Sequence, residues 1–336
     1  MNRLFDFIVA LGDLFMPRAC LACGCRLGMR ERHLCLSCAA DVPYTRFWLA
    51  PHNPLADRFN AVLERHRGTE PMDYAYAAAL IYYKGAYRSI PRALKYQGDL
   101  AAGRHYGALL GRRLAAAPHF ADIDLVIPVP LHWTRLRSRG YNQAEVLARA
   151  LVDAFRAAPA PGASAAPPSS LSERCPVVAG HDERGAPITV SSGVPTIVSS
   201  APSAVIPGAP SAVIPGLTRS LPEVRTDLLV RARRTRTQTR VSVDQKAQNV
   251  ASAFQVPARF SPWARIVTTW KGEVPESPAE VLASARHILL VDDTFTTGAT
   301  LYACYAALRP FTTARISIAT LAAVEGTPSS TPSSGP

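Results

Sequence analysis

Residues 291–300 read Val-Asp-Asp-Thr-Phe-Thr-Thr-Gly-Ala-Thr. The adjacent carboxylates of Asp292 and Asp293 suit the vicinal hydroxyls of a ribose. Thr296, Thr297 and Thr300 add hydroxyl donors, while Gly298 and Ala299 let the backbone close around a phosphate. The acid pair follows four apolar residues, 288–291, and the run opens a helical pattern over 299–309. Its N–H groups and the helix N-terminus would therefore face an anion. Such carboxyl ends of strands are where open α/β folds bind ligands. A plain helix cap beside a glycine turn accounts for fewer of these residues. No GxxxxGK[ST] or GxGxxG run occurs, so neither an ordinary ATPase nor a dinucleotide enzyme is indicated.

A second cluster is made of thiols. Of seven cysteines, five fall between Cys20 and Cys38, an odd and clustered set that makes a poor disulfide framework. Cys20-x2-Cys23 and Cys35-x2-Cys38 form two knuckles eleven residues apart. Two knuckles supply the four thiolates of a tetrahedral Zn²⁺ site, and four ligands leave no open position, so the metal would be structural. Cys25 and His33 are spare ligands, and Cys25 could compete with Cys23. Reduced thiols of this kind point to the cytoplasm.

The third feature is charge. Lys and Arg number 37 against 25 Asp and Glu, a net +12 that favours phosphorylated or polyanionic ligands. Arg135, Arg137 and Arg139 alternate in one segment. Arg225, Arg231, Arg233, Arg234, Arg236 and Arg240 crowd another, opposed only by Asp227. A one-signed run rich in arginine favours phosphate recognition over a merely solvated face. Pyrophosphate under a mobile loop and single-stranded DNA both fit. The absence of interleaved aromatics over 225–240 counts against DNA as the sole ligand, Tyr141 beside Arg139 being the one exception. Lys95 and Tyr96 are ambiguous between surface and ligand contact. His105 and His132 are weak candidates for a general base.

The elements that must position these groups follow from apolar patterning. Residues 70–156 and 224–325 read as one α/β domain, with strands at 124–129, 288–291 and 315–323 and helices after Gly140 and over 299–309. Short apolar strands alternating with helices argue for a mainly parallel sheet covered on both faces. Residues 17–45 form the cysteine module. Residues 1–16 place Leu4, Phe5, Phe7, Ile8, Leu11, Leu14 and Phe15 at helical spacing, interrupted by Asp6 and Asp13, which reads as an amphipathic helix rather than a secretory leader. No apolar run reaches 18 residues, so no membrane span is expected. Residues 157–222 hold 12 Pro, 11 Ser and 6 Gly and no Phe, Trp or Tyr, too little apolar surface to offset ordering entropy. They also repeat Ser-Ala-Val-Ile-Pro-Gly at 203–208 and 211–216, as a low-complexity insertion does. A smaller insertion is expected over 259–283, and a disordered tail over 326–336.

With these residues in view, the 291–300 run resembles the phosphoribosyl pyrophosphate motif of type I phosphoribosyltransferases. The whole arrangement resembles the ComF family, related to late competence and GntX-like proteins. Further support lies in LCLSCAADVP at 34–43, IPRALKYQGD at 90–99, IPVPLHWTRLRSRGYNQAEVLA at 127–148 and LLVRARRTRTQTRVSVDQKAQNVASAF at 228–254. The resemblance implies a type I phosphoribosyltransferase-like fold and use of phosphoribosyl pyrophosphate with Mg²⁺. Asp292 and Asp293 would then hold the ribose and 296–300 the 5-phosphate, with the turn Val129, Pro130 and Leu131 approaching the pyrophosphate. Arg139, Arg231, Arg233, Arg234, Arg236 and Lys246 would be phosphate or DNA contacts, a lysine standing at 246 where the family carries arginine. A non-catalytic nucleotide-sensing or single-stranded-DNA module of the competence machinery is the alternative, with competence proteins as partners.

Overall fold

The computed structural model describes residues 18–66, 73–158, 221–232, 253–260 and 277–326. The helix expected over 1–16, nearly all of the 157–222 insertion and the tail beyond Gly326 lie outside these residues. So do Arg233, Arg234, Arg236 and Lys246.

The first described residues form the cysteine module, whose short helix α1 (Leu36–Ala40) starts within the second knuckle and carries Cys38. The module leads directly onto the sheet. Tyr44 bridges Ile81 in antiparallel fashion, and the Tyr82 N–H donates to the Pro43 carbonyl at 2.8 Å. An edge strand is thereby covered, which removes an open template for pairing.

Helix α2 (Pro54–Arg65) comes next, before the expected domain start at 70. Pro54 takes its first position, and Asn53 caps it by accepting from the Leu55 and Ala56 N–H groups. The Asn53 amide also donates to the Ala77 carbonyl at 3.0 Å, tying the helix to strand β1 (Ala77–Tyr82). Then follow α3 (Ser89–Arg92), a π-helical turn (Ala93–Gln97) and α4 (Leu100–Ala115). Strand β2 (Leu125–Pro128) precedes α5 (Trp133–Arg139) and α6 (Gln143–Ala157). The expected insertion boundary at 157 is thus one residue inside a helix. At the other boundary lies β3 (Glu223–Val224), with Arg156 donating to the Pro222 carbonyl at 2.6 Å.

Strands β4 (Val230–Arg231) and β5 (Phe254–Gln255) pair as a small antiparallel ribbon. The expected insertion over 259–283 is corrected at its C-terminal end by α7 (Pro278–Ser284). Ser277 and Glu280 form a full capping box there, Pro278 stands at the first position where no N–H is needed, and Leu282 is buried. Strand β6 (His287–Phe295), α8 (Ala299–Leu308) and β7 (Arg315–Ala323) complete the body. Strand β6 runs four residues past the expected end at 291, because its pairing with β7 continues to Phe295 opposite Ala323.

The sheet has five strands in the order β1-β7-β6-β2-β3, with every neighbouring pair parallel. Alternation sorts its core into two layers. Leu289 and Val291 of β6 pack with α4, α6 and the cysteine module, while Ile288 and Leu290 pack with α2 and α8. Helices α4 and α6 meet backbone to backbone. A Cβ on Gly111 would lie 2.1 Å from the Leu151 carbonyl oxygen, and one on Gly107 2.8 Å from that of Leu147. Among the described residues no helix is long and apolar enough to cross a membrane.

The topology also fixes where a ligand can sit. From β2 the chain continues through α6 to β3 on its outer side. From β6 it continues through α8 to β7 in the opposite direction, on the other face. The carboxyl ends of β2 and β6 therefore flank a crevice of the kind that binds ligands in open parallel sheets.

Candidate functional site

A cavity of about 330 Å³ opens at that crevice. Val129, Pro130 and Leu131 leave β2 and line one wall, while Asp292, Asp293, Thr294, Thr296 and Thr300 line the other. The first wall is fixed from behind. The Val129 N–H donates to the Val291 carbonyl at 2.9 Å, and Asn142 donates its amide N–H to the Val129 carbonyl at 3.1 Å while capping α6.

The two aspartates have different surroundings, because successive strand residues point to opposite faces. Asp293 is 4% exposed. Its carboxylate receives the Lys95 ammonium at 3.2 Å and the Gln143 amide N–H at 3.1 Å. Asp292 stays partly open to the cavity and accepts the Asp293 N–H at 2.8 Å. Desolvation, then the Asp293 charge, lifts Asp292 to about 7, against the weaker pull of Lys95 and Arg231. Burial draws the Lys95 ammonium down, but the Asp293 and Asp292 carboxylates outweigh it and hold the group above its ordinary value.

The phosphate-type turn behaves as a unit. Gly298 sits at φ +80° as the cap of α8, and a Cβ there would be 3.0 Å from the Phe295 ring. Both facts call for glycine. Gly298 offers α8 no capping side chain, and the one side-chain acceptor at its start is Thr297 Oγ1, 3.5 Å from the Ala299 nitrogen, which leaves the next N–H groups for a ligand. Thr296 and Thr300 face the cavity; Thr297, Gly298 and Ala299 build the turn without lining it. Arg58 of α2 locks the turn from behind. It donates to the carbonyls of Val324 at 2.6 Å and Thr296 at 2.8 Å, with its guanidinium over the Phe295 ring. Nothing local in the sequence pointed to Arg58, since its partners lie more than 230 residues away.

The expected contacts Arg139 and Arg231 both line the cavity, joined by Arg92, Lys95 and Arg135. Burial and the neighbouring Arg135 charge lower Arg231 from its ordinary value. Five cations thus surround two carboxylates, one of them already paired, which is an anion-attracting field. Lys95, ambiguous in the sequence, is a cavity residue.

Other candidates fall elsewhere. The Tyr141 hydroxyl donates to the Leu94 carbonyl, so this ring is a structural prop rather than a stacking surface. His105 packs its ring 5.0 Å from that of His33, on the cysteine-module side. His132 is buried and caps α5 by accepting from the Thr134 N–H. Neither histidine lines the cavity, so neither is placed to serve as its base.

The Sγ atoms of Cys20, Cys23, Cys35 and Cys38 all lie within 4.8 Å of one another, and this group could hold a metal ion. Thiolates around a tetrahedral Zn²⁺ at about 2.3 Å stand roughly 3.8 Å apart, so the spacing fits. Cys20 is brought down to about 6: burial opposes this, but backbone N–H groups of Cys23, Cys35 and Ala22 outweigh it. Cys25 contacts Cys23 sulfur to sulfur at 3.3 Å but stands outside the four. Its thiol is pushed up to about 12, chiefly by Cys23 and Cys35.

No known family model matches the chain, and no curated protein matches it.

Proposed function

We propose that this chain is a ComF-type, phosphoribosyltransferase-like protein that binds phosphoribosyl pyrophosphate in the crevice between β2 and β6. One observation carries the reading. A single cavity at the switch point of a parallel sheet gathers an open carboxylate, the N-terminus of α8 and five cations. Those are the complements of a ribose, a monophosphate and a pyrophosphate respectively.

In this reading the 5-phosphate sits at the first turn of α8, receiving N–H groups and the Thr296 and Thr300 hydroxyls. Asp292 accepts from the ribose hydroxyls. Asp293 keeps Lys95 and Gln143 and acts through them. The pyrophosphate lies toward Val129, Pro130 and Leu131, where Arg135, Arg139 and Arg231 offset its charge. Mg²⁺ would arrive with the pyrophosphate and lower its charge, and one accessible carboxylate suits an ion that keeps phosphate and water ligands. Transfer is displacement at the anomeric carbon, and the arginines stabilise the charge that the departing pyrophosphate gains. The cysteine group is a closed, structural Zn²⁺ site in a cytoplasmic protein.

A second reading has its own observation. Trp133 is 64% exposed on α5, the helix that carries Arg135, Arg137 and Arg139. An exposed ring among arginines also suits single-stranded DNA, and steep loss of binding with salt identifies that mode.

The direct test is calorimetric titration of phosphoribosyl pyrophosphate with Mg²⁺ into wild type and Asp292→Asn. Saturable binding lost in the folded variant supports the assignment. Absence of binding to folded wild type refutes it and makes single-stranded DNA the next ligand.

A further inference from the structure

Five thiols crowd a site that needs four. Cys25 stands outside the set of Cys20, Cys23, Cys35 and Cys38, yet its sulfur lies 3.3 Å from that of Cys23. Cysteine is among the residue types most often buried, and this one is exposed. Cys23 is exposed beside it, whereas Cys20 is 3% exposed and Cys35 and Cys38 are half-buried. A reagent in solvent therefore meets the pair Cys23 and Cys25 first.

The backbone brings this pair together. Gly24, between them, takes φ +75°, and a Cβ there would touch nothing, so glycine answers a conformational demand rather than a shortage of space. The Gly24 N–H donates to the Cys20 carbonyl at 2.9 Å, and the Cys20 N–H donates to the Cys25 carbonyl at 2.7 Å. Those two bonds close residues 20–25 into a turn that returns Cys25 to the ligands. A disulfide of about 2.05 Å needs the two sulfurs to approach by only about 1.3 Å. Cys35 lies farther from Cys23, at 3.7 Å, and is less accessible.

We propose that Cys23 and Cys25 form an oxidation site, at which a peroxide joins a metal ligand to its neighbour as a disulfide and so opens the module. It rests on the four thiols holding Zn²⁺ and is independent of the phosphoribosyl reading. The Cys23 thiolate attacks a peroxide oxygen: an S–O bond forms, the O–O bond breaks and hydroxide leaves. The Cys25 thiol then attacks the sulfenic sulfur: the S–S bond forms, the S–O bond breaks, and water leaves with the thiol proton. The two sulfurs are oxidised by two electrons, which the peroxide takes. Three thiolates remain, too few for the closed tetrahedral set. Exchange with a dithiol reverses the step and returns both thiols. The change reaches the body, because the Tyr87 hydroxyl donates to the Cys38 carbonyl at 2.9 Å and Tyr44 bridges Ile81.

The test uses the full chain, reduced and supplied with Zn²⁺, as wild type, Cys25→Ser and Cys25→Ala. All three should hold about one Zn²⁺ per chain. Hydrogen peroxide should then release the metal from wild type to a chromophoric chelator. Trypsin frees residues 19–26, which carry Cys20, Cys23 and Cys25 but neither Cys35 nor Cys38. That peptide should be two hydrogens lighter after oxidation, with fragmentation placing the bond between Cys23 and Cys25. Once peroxide and chelator are removed, a dithiol and fresh Zn²⁺ should restore the metal and the resistance of the module to limited proteolysis. Both variants should regain roughly half as much or less, because an unresolved sulfenic acid runs on to the irreversible sulfinic acid. A wild type that never holds Zn²⁺ refutes the metal reading and takes this site with it. Metal held by wild type but by neither variant makes Cys25 a ligand and overturns the proposal. So does a bond from Cys23 to Cys35, an absence of peroxide-driven release, or variants that recover as fully as wild type.

Discussion

The cysteine module and the crevice are both clusters of reactive groups held by loops, yet they are opposite kinds of site. The module is closed. Its four sulfurs face one another within 4.8 Å, and a tetrahedral ion would leave no position for a substrate. The crevice is open. Asp292 is raised to about 7 because burial and the Asp293 charge outweigh the pull of Lys95 and Arg231. The module turns its thiols toward one another, whereas the crevice turns its charged groups toward an open cavity. The difference also shows in chain distance. The four thiols lie within 19 residues, whereas Lys95 and Asp293 are 198 apart.

The comparison can be broken most forcefully at the module. Removing metal with a chelator should loosen residues 18–44 outright, because ion binding and local folding are the same event in such units. The sheet keeps its own two-layer core, so limited proteolysis should cut within 18–44 and spare the body. A protected module after complete metal loss would show that the four thiols are mere packing.

Next in size is Lys95→Met. It leaves the buried Asp293 carboxylate with the Gln143 amide and no counter-charge, and should cost about 3 kcal/mol in denaturant unfolding at pH 8. A variant as stable as wild type at pH 8 would mean that Asp293 does not depend on its cation.

A smaller effect has the opposite sign. The folded-state value of Asp292 lies above its ordinary 3.8, so the folded chain binds the extra proton between about pH 4 and 7. Its ionisation therefore subtracts stability progressively across that window, and the penalty is full above pH 7. Asp292→Asn should raise stability at pH 8 by about 1 kcal/mol, screening through the open cavity being allowed for. Gain of stability with loss of ligand is what an open site predicts and a structural aspartate does not. Thermal unfolding of the two proteins at pH 5 and pH 8 reads it.

Legibility in the sequence followed the same division. Strand β7 is readable because 316–323 is dominated by apolar residues, with only Ser317 and Thr320 among them, as suits a strand buried on both faces. The knuckles were readable from spacing alone. The expected end of β6 fell short because acidic residues look like a strand's finish, and only pairing to β7 carries Asp292 and Asp293 inside it. Helix α7 was hidden among prolines, although Pro278 behind Ser277 is a helix start rather than a break. Helix α2 is hard to read because Asn60 falls on its buried stripe, where its amide bonds the Ala75 backbone. At the site, the residues of the 291–300 run were legible as chemistry. Gln143, Arg92 and Arg58 were not, since their roles come from chain segments brought together by the sheet order. For Gln143 the one local signal was its place directly after the Asn142 cap, which turns its side chain toward the strand ends.

Asp292 is the open carboxylate of the proposed phosphoribosyl site. The most direct measurement is the affinity for phosphoribosyl pyrophosphate with Mg²⁺ across pH 6 to 8, in wild type and Asp292→Asn. A ligand that needs the ionised carboxylate should lose up to about tenfold per pH unit below 7 and level off above it. The wild type should follow that curve, and the variant should bind weakly and without the Asp292 step. Affinity that ignores both pH and the substitution would contradict the assignment.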